Sequence, residues 1–205
     1  MTKKTALFIA LTIFTFLATG QANAQTAKPA KEYLNVPGPV VFEKTSFRLD
    51  WSAHPSPDFY KQEYLAKGDT TGKYKTILLL DVIVGDVNIK DVVAQKTAEL
   101  KRMKETNPMV NFESFGNPTT GEYMLDFLLS ANSADGKYVT VVERNVYRYK
   151  TFTDKSGKKG ILLFGVSTRS YGNDIDAFLL ALKNNKKDLV NQVAKFTIPE
   201  IKIAK

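Results

Sequence analysis

The chain of 205 residues has no cysteine, a single histidine and a single tryptophan. Without cysteine the protein has no disulfide, no thiol nucleophile and no thiolate ligand. Zinc sites commonly need three or four Cys and His ligands, so one histidine predicts the absence of a transition-metal site. The phosphate-binding patterns G-x-x-x-x-G-K-[ST] and G-x-G-x-x-G and the calcium-loop pattern are also missing, so we expect no metal and no cofactor.

The single histidine, His54, lies close to Trp51 in the stretch DWSAHPSPDFYKQEY, residues 50–64, among several acids. A Ser-His-Asp triad would have to use this one imidazole. His54 is bracketed by Pro55 and Pro57, which predicts a surface loop at the end of a strand. We therefore predict a structural or solvated role for His54 and a buried or half-buried position for Trp51. No catalytic residue is assigned on this basis.

Residues 1–24 have the pattern of a secretory signal peptide. Lys3 and Lys4 precede an apolar run over residues 6–18, and the segment ends in the small-x-small sequence of residues 22–24. We predict cleavage before Gln25. The signal pattern and the missing cysteines favour the bacterial periplasm, with secretion into the medium as the alternative. The formal charge of +8 suits an anionic partner such as an envelope polymer, although solubility alone also explains it.

The domain organisation is predicted from composition. Residues 25–39 are polar and contain prolines, which predicts a flexible N-terminal arm. A single domain then covers residues 40–201, and residues 202–205 form a C-terminal tail. No segment after the signal peptide is apolar enough to cross a membrane.

The hydrophobic patterns within residues 40–201 predict strands at the start of the domain. VVFEK, SFRLDWSA and KYKTILLLDVIV are rich in β-branched and aromatic residues, and the last is apolar on both faces, which is typical of a central strand. Asn88 caps a predicted helix that ends before Pro108. Four further strands follow as a meander, and a second helix begins at Asn173. We therefore predict an α+β fold, an antiparallel sheet with two main helices packed on it.

Two stretches carry a resemblance to a known family: NIKDVVAQKTAELKRMKETNP, residues 88–108, and YGNDIDAFLLALKNNKKDLVNQVAKFTIPEI, residues 171–201. With the order of the elements, they resemble the PsbP-type fold. That fold is shared by photosystem accessory proteins, a nuclear-import accessory factor and small bacterial envelope proteins. The resemblance covers roughly residues 40–201 and implies a non-enzymatic binding or assembly module. No motif here matches the family's ligand residues, so none is carried over.

Two acids interrupt otherwise apolar strands, Asp81 in LLLDVIV and Asp126 in YMLDFLL. Acids in such surroundings need partners or shifted pKa values, and they are enriched at functional sites. A glycosidase needs only two carboxyl groups at a suitable separation. Asp81 and Asp126 are therefore the alternative catalytic candidates. The simpler hypothesis is that each points to a solvated or edge face or pairs with an arginine of a neighbouring strand.

Arginine and tyrosine are concentrated in two neighbouring strands of the predicted meander. A period of two places Glu143, Asn145, Tyr147 and Tyr149 on one face and Arg144 and Arg148 on the other. Guanidinium groups bind anions in a bidentate manner, and phenol rings add rigid contact area. The predicted ligand-binding residues are Arg144, Arg148, Arg169, Tyr147, Tyr149 and Tyr171. The alternative is a charged sheet edge whose arginines pair with Glu143 and Asp126.

These observations lead to two functional hypotheses. The first is an exported, non-catalytic accessory or binding protein for an envelope protein or an anionic envelope component. The second is a carboxylate-dependent hydrolase of an envelope polymer. Nucleic acid is not an expected partner, because an exported protein rarely meets it.

Overall fold

A computed structural model describes residues 29–203 of the chain. The predicted signal peptide, residues 1–24, lies outside the described residues. The strands, in chain order, are β1 (Val40–Phe42), β2 (Thr45–Ser56), β3 (Phe59–Ala66), β4 (Thr76–Val84), β5 (Asn111–Gly116), β6 (Tyr123–Asn132), β7 (Val139–Thr153) and β8 (Lys159–Tyr171). The helices are α1 (Ile89–Thr106), α2 (Ile175–Asn184) and α3 (Lys186–Lys195).

The eight strands form one sheet in the order β1-β2-β3-β4-β8-β7-β6-β5, and every neighbouring pair is antiparallel. Two meanders of four strands are therefore joined where β4 pairs with β8. As expected for a central strand, β4 is almost entirely buried. The two edges are β1, of three residues, and β5, which is largely exposed.

The predicted α+β class with two main helices packed on the sheet is wrong. Residues 29–203 are mostly antiparallel sheet with three helices. Strand β3 was not predicted, because Lys61, Gln62 and Glu63 interrupt the apolar pattern in its middle. The predicted second helix is divided into α2 and α3 at Asn185, whose backbone leaves the helical region.

One face of the sheet is covered by α3 and by the two ends of the described chain. Leu34 and Val36 precede β1 and are buried, as are Ile201 and Ile203 at the other end. The amide of Lys202 donates to the carbonyl of Leu34 at 2.9 Å, so the two terminal segments lie side by side. The packed structure thus includes residues on both sides of the range 40–201. We call this surface the terminal face.

The opposite face is covered by α1, which begins at the predicted cap. The Asn88 side chain accepts a hydrogen bond from the amide of Lys90. The buried stripe of α1 comprises Ile89, Val92, Val93, Lys96 and Leu100. Together with residues of β6, β7 and β8 it forms a second hydrophobic cluster, which includes Leu125, Phe127 and Tyr149. We call this surface the helix face.

Candidate binding site on the helix face

A cavity of about 120 Å³ lies on the helix face, and five adjacent strands contribute to its lining. The lining side chains from the sheet belong to β3, β4, β8, β7 and β6, while Lys96 reaches it from α1. Thr71 and Tyr74, from the connection between β3 and β4, complete the wall. The cavity is therefore positioned by the centre of the sheet rather than by an exposed edge.

The strand register explains the floor of this cavity. Glu63, Leu79, Gly165 and Tyr147 are successive partners across β3, β4, β8 and β7. A Cβ atom on Gly165 would lie 2.9 Å from carbon atoms of both Leu79 and Tyr147, closer than side chains tolerate. The missing side chain thus allows Leu79 and Tyr147 to approach each other over the glycine. A side chain at this position would occupy space at the bottom of the cavity.

Two ion pairs lie on opposite sides of the cavity floor. Lys61 on β3 binds Oδ2 of its register partner Asp81 on β4. Arg169 on β8 binds Glu143 on β7, again its register partner. Tyr74 joins the second pair, because its hydroxyl donates to Oε2 of Glu143 at 2.6 Å and its ring lies 4.1 Å below the Arg169 guanidinium. The charges of both pairs are mutually neutralised.

Two buried polar atoms in the wall have no hydrogen-bond partner within residues 29–203: Oδ1 of Asp81 and Nδ2 of Asn145. Asp81 is 7% exposed and Asn145 is 1% exposed. The other end of the Asn145 amide accepts from the hydroxyl of Ser167 at 2.5 Å. Buried polar atoms are nearly always paired. One acceptor and one donor in this wall are therefore available to a molecule in the cavity.

Glu63 is the third acid of the cavity and is 6% exposed. None of the hydrogen bonds and ion pairs among residues 29–203 involves its carboxyl group. Burial raises its pKa to about 7, and the neighbouring Asp81 charge acts in the same direction, while Lys61 and Arg169 oppose the shift. Near neutral pH, Glu63 is thus present in both protonation states.

Lys96 brings a buried ammonium group to the cavity from α1. The side chain is 6% exposed, and Nζ donates to Glu99 at 3.0 Å. Nζ also lies 5.4 Å from the ring centroid of Phe127, which is a cation–π distance. Neither Glu63 nor Lys96 was predicted from sequence. The signal for Lys96 was its position in the apolar stripe of α1, four residues after Val92 and four before Leu100.

The structure places the six predicted ligand-binding residues in two groups. Arg169 and Tyr147 line the cavity. Tyr149 is fully buried on the same face, and the Tyr171 hydroxyl is held by the backbone of Tyr74, donating to its carbonyl at 3.0 Å. Burial raises the pKa of both Tyr147 and Tyr149 well above the usual range. These phenols stay neutral and can only form hydrogen bonds.

Arg144 and Arg148 belong to the terminal face instead. Arg144 makes a bidentate pair with Asp126, at 3.0 and 2.9 Å, and also donates to the carbonyl of Lys186. Arg148 pairs with Glu122 at 2.8 Å and donates to the carbonyl of Phe196. The two arginines therefore connect both ends of α3 to the sheet through hydrogen bonds. The three predicted arginines are therefore not brought together, and each is bound to a carboxylate.

The two alternative catalytic acids are also separated by the sheet. Asp81 lines the cavity of the helix face, whereas Asp126 lies with Arg144 on the terminal face. Glycosidase carboxyl groups share one cleft and lie about 5 to 9.5 Å apart. Asp81 and Asp126 share no cleft. The acids that share the cavity with Asp81 are Glu143, which is paired with Arg169, and Glu63.

His54 lies near the end of β2, and its ring is stacked on Tyr60 with 4.1 Å between the centroids. Its Nδ1 is 3.0 Å from the carbonyl oxygen of Phe59. Strand β2 continues through Pro55 to Ser56, and Pro57 belongs to the two-residue turn before β3, so His54 lies within a strand and not in a loop. Trp51 is half-buried and is the register partner of Glu63. These contacts give His54 a structural role.

Within residues 29–203, no group of three or more His, Asp or Glu side chains is arranged to hold a metal ion. None of the helices in the same range has the length and apolar character needed to cross a membrane.

No curated protein and no solved structure matches the chain significantly. A protein-family model matches residues 34–198, a range that begins at the buried Leu34 and includes all eight strands and three helices. The chain therefore belongs to the uncharacterised protein family that this model describes.

Proposed function

We propose that this protein is an exported, non-catalytic binding protein that holds a small polar ligand in the cavity of the helix face. The observation that carries the proposal is the pair of unsatisfied atoms in the cavity wall, Oδ1 of Asp81 and Nδ2 of Asn145. The signal pattern of residues 1–24 supports export. The assembly role implied by the PsbP-type resemblance stays a prediction.

The energetic argument starts from the cost of unpaired polar atoms. A buried donor or acceptor without a partner costs about 1–3 kcal/mol, and a ligand that satisfies it recovers that free energy. The cavity of about 120 Å³ exceeds several-fold the roughly 10–15 Å³ of such space that one water needs. A small molecule with a donor and an acceptor can therefore enter it and satisfy both atoms.

The balance of charge argues against a simple anion site. The guanidinium of Arg169 is bound to Glu143, and the ammonium of Lys61 is bound to Asp81. An incoming anion would have to compete with a carboxylate that is already in place in either pair. The cavity therefore suits a ligand with polar groups of both kinds better than a purely anionic one.

A thermal unfolding screen tests this proposal. The panel comprises amino acids, ω-amino acids, alkylamines, dicarboxylates and hexoses, each at 1 mM. A compound with a dissociation constant of about 10 μM stabilises the fold by about 2.7 kcal/mol, which raises the melting temperature by about 5–10 °C for a chain of this size.

The variant Asn145→Ala removes the unsatisfied donor. Its matched control is Asn191→Ala, at an exposed position of α3. A shift that Asn145→Ala abolishes and Asn191→Ala preserves supports the cavity site. The absence of any shift across the panel, or a shift that both variants preserve, counts against the proposal.

A second candidate function is favoured by the pair Glu63 and Asp81. Glu63 has a pKa of about 7, and Asp81 is held by the Lys61 ammonium. Two carboxyl groups in different surroundings within one cavity are the arrangement of a carboxylate-dependent hydrolase. Clearing of a purified peptidoglycan suspension by the wild-type protein, lost in Asp81→Asn, would support hydrolysis. Equal turbidity with and without protein would dismiss it.

A further inference from the structure

We propose that the ligand of this cavity is a small organic amine, whose ammonium group binds between Glu63 and Oδ1 of Asp81 and whose acceptor binds Asn145. This inference rests on the proposed binding function and specifies the ligand's chemistry. Three observations lead to it: the placement of the two carboxyl groups, the distribution of ion pairs, and the unsatisfied donor across the floor.

The strand register places Glu63 and Asp81 as diagonal neighbours on the helix face. Lys61 of β3 is opposite Asp81 of β4. Glu63 comes two residues after Lys61 in β3 and is opposite Leu79, which comes two residues before Asp81 in β4. Diagonal residues of neighbouring strands are about 7–8 Å apart at their Cα atoms, within reach of long side chains. Their electrostatic coupling is strong enough for Asp81 to raise the pKa of Glu63. A group with several donors can therefore contact both carboxyl groups at once.

The ion pairs leave one carboxyl group of the cavity without a cation. Lys61 binds Oδ2 of Asp81, Arg169 binds Glu143, and Lys96 binds Glu99. Glu63 has no such partner within residues 29–203. When Glu63 ionises, the three carboxylates of the lining equal its three cations in number, and Glu63 is the carboxylate that no ion pair within residues 29–203 occupies. Its carboxylate oxygens are therefore open to a cation. An ammonium group has three donors and no acceptor, so it fits a site with two carboxylate acceptors.

The other end of the site is Asn145, whose unpaired Nδ2 is a donor. Strand β8 lies between β4, which carries Asp81, and β7, which carries Asn145. Asp81 is level with Tyr149 across β8, and Asn145 lies four residues away from Tyr149 along β7. Strands lie about 4.8 Å apart and each residue advances about 3.4 Å, so the two positions are roughly 17 Å apart at their Cα atoms. The two side chains and one hydrogen bond at each end cover part of this distance, and an amine whose acceptor is about five bonds away spans the rest.

Proton release is a second consequence of this geometry. The charged and titratable groups around Glu63 are Asp50 of β2, Lys61 of β3, Asp81 of β4, Tyr147 and Glu143 of β7, Arg169 of β8, Lys96 of α1 and Tyr74. A bound ammonium group favours ionised Glu63. Because this carboxyl group is still largely protonated at pH 6, binding at that pH should release a proton.

Isothermal titration calorimetry with three probes of matched length tests the proposal. We expect 5-aminopentanoate to bind, pentylamine to bind more weakly because it lacks the acceptor, and pentanoate not to bind. Titrations of 5-aminopentanoate at pH 6 in two buffers of different ionisation enthalpy should reveal about one released proton.

The variants separate this inference from the proposed function. We expect Glu63→Gln to weaken 5-aminopentanoate binding at least tenfold and to abolish proton release, and Asp81→Asn to weaken it as well. The matched control Glu200→Gln, an exposed residue on the terminal segment, should bind as the wild type does. Circular dichroism confirms that each variant is folded.

Two outcomes would overturn the inference. One is binding of 5-aminopentanoate that Glu63→Gln leaves unchanged. The other is no binding of either amine at millimolar concentration. If pentanoate or a neutral panel compound binds instead, and Asn145→Ala abolishes that binding, the binding function stands and only the amine specificity fails.

Discussion

Glu63 and Asp81 lie diagonally across β3 and β4 on the same face, and Lys61 binds only Asp81 of the two. The asymmetry separates their chemistry. Asp81 has a cation beside it, whereas the carboxyl group of Glu63 is buried without a hydrogen bond from residues 29–203, and burial raises its pKa to about 7. The sheet register, which fixes which residues are opposite each other, thus gives two acids of one cavity different surroundings.

The stability of the fold should therefore depend on the protonation of Glu63. The folded state keeps the proton up to about pH 7, while an unfolded glutamic acid loses it near 4.5. The stabilising contribution of the protonated form is complete below about pH 4.5 and is lost as the pH rises to about 7. Wild type should therefore lose stability from pH 5 to pH 8 that Glu63→Gln keeps. The free energy of unfolding of Glu63→Gln, relative to that of wild type, should rise by about 2–3 kcal/mol between these two pH values.

Urea denaturation of wild type and Glu63→Gln at the two pH values measures this difference. The exposed control Glu200→Gln should differ from wild type equally at pH 5 and pH 8. If the gap between wild type and Glu63→Gln is the same at both pH values, Glu63 ionises in the folded protein as it does in solvent.

The close packing over Gly165 at the cavity floor leads to a second prediction. Gly165→Ala places a Cβ atom 2.9 Å from Leu79 and Tyr147, so both side chains must shift. Overpacking of this kind typically costs about 1–3 kcal/mol. At Gly72 a Cβ atom would meet nothing within 4 Å, so Gly72→Ala should change the free energy of unfolding by about 0.5 kcal/mol or less. Chemical denaturation compares the two, and equal effects would contradict the packing argument.

Replacement of His54 should have only a local effect. His54→Ala removes a stacked pair with Tyr60, worth about 0.5–1.5 kcal/mol, and should leave 5-aminopentanoate binding unchanged. Trp51→Ala should cost less than the roughly 3–5 kcal/mol of a fully buried tryptophan, because the side chain is half-buried. A folded His54→Ala variant that loses ligand binding would give the imidazole a role that its contacts do not indicate.

The part of this fold that could be predicted from the sequence is local. The apolar run of β4 predicted a central strand, Asn88 predicted a helix cap, and a period of two separated Tyr147 from Arg148. Each depends on neighbouring residues and on one backbone geometry. The fold class was wrong because it depends on how the two meanders join, and the pairing of β4 with β8 links residues about 80 positions apart.

The candidate site could be predicted only in part for the same reason. Asp81 was conspicuous because it interrupts an apolar strand, and Arg169 and Tyr147 were found by composition. Glu63 follows the polar residues Lys61 and Gln62, as solvent-exposed acids often do, so no local pattern revealed its burial. Its place beside Asp81 follows from the register of β3 on β4, which sequence reasoning without β3 could not supply.

Export is a prediction that protein chemistry can test directly. The signal pattern predicts that the mature chain begins at Gln25, and the structure describes residues from Pro29 onward. Intact mass and N-terminal sequencing of protein from the periplasmic fraction of a bacterial host should give Gln25 as the first residue. A mature protein that retains residues 1–24, or accumulation in the cytoplasm only, would contradict the prediction.

The last prediction concerns the buried ion pair of Arg144 and Asp126 on the terminal face. Both side chains are 7% exposed, and the guanidinium also donates to the Lys186 carbonyl at the start of α3. Removal of one partner from a buried ion pair leaves an uncompensated charge and typically costs about 3–5 kcal/mol. We expect Arg144→Gln and Asp126→Asn each to destabilise by that amount.

The double variant should cost less than the sum of the two single variants, because neither charge is then left alone. The exposed pair Lys155 and Glu200, 3.2 Å apart, is the matched control, and its single variants should cost about 1 kcal/mol or less. Urea denaturation of both cycles at pH 7 measures the coupling. Additive effects in the Arg144–Asp126 cycle would show that the two residues stabilise α3 independently, and that the bidentate geometry contributes nothing beyond the separate contacts.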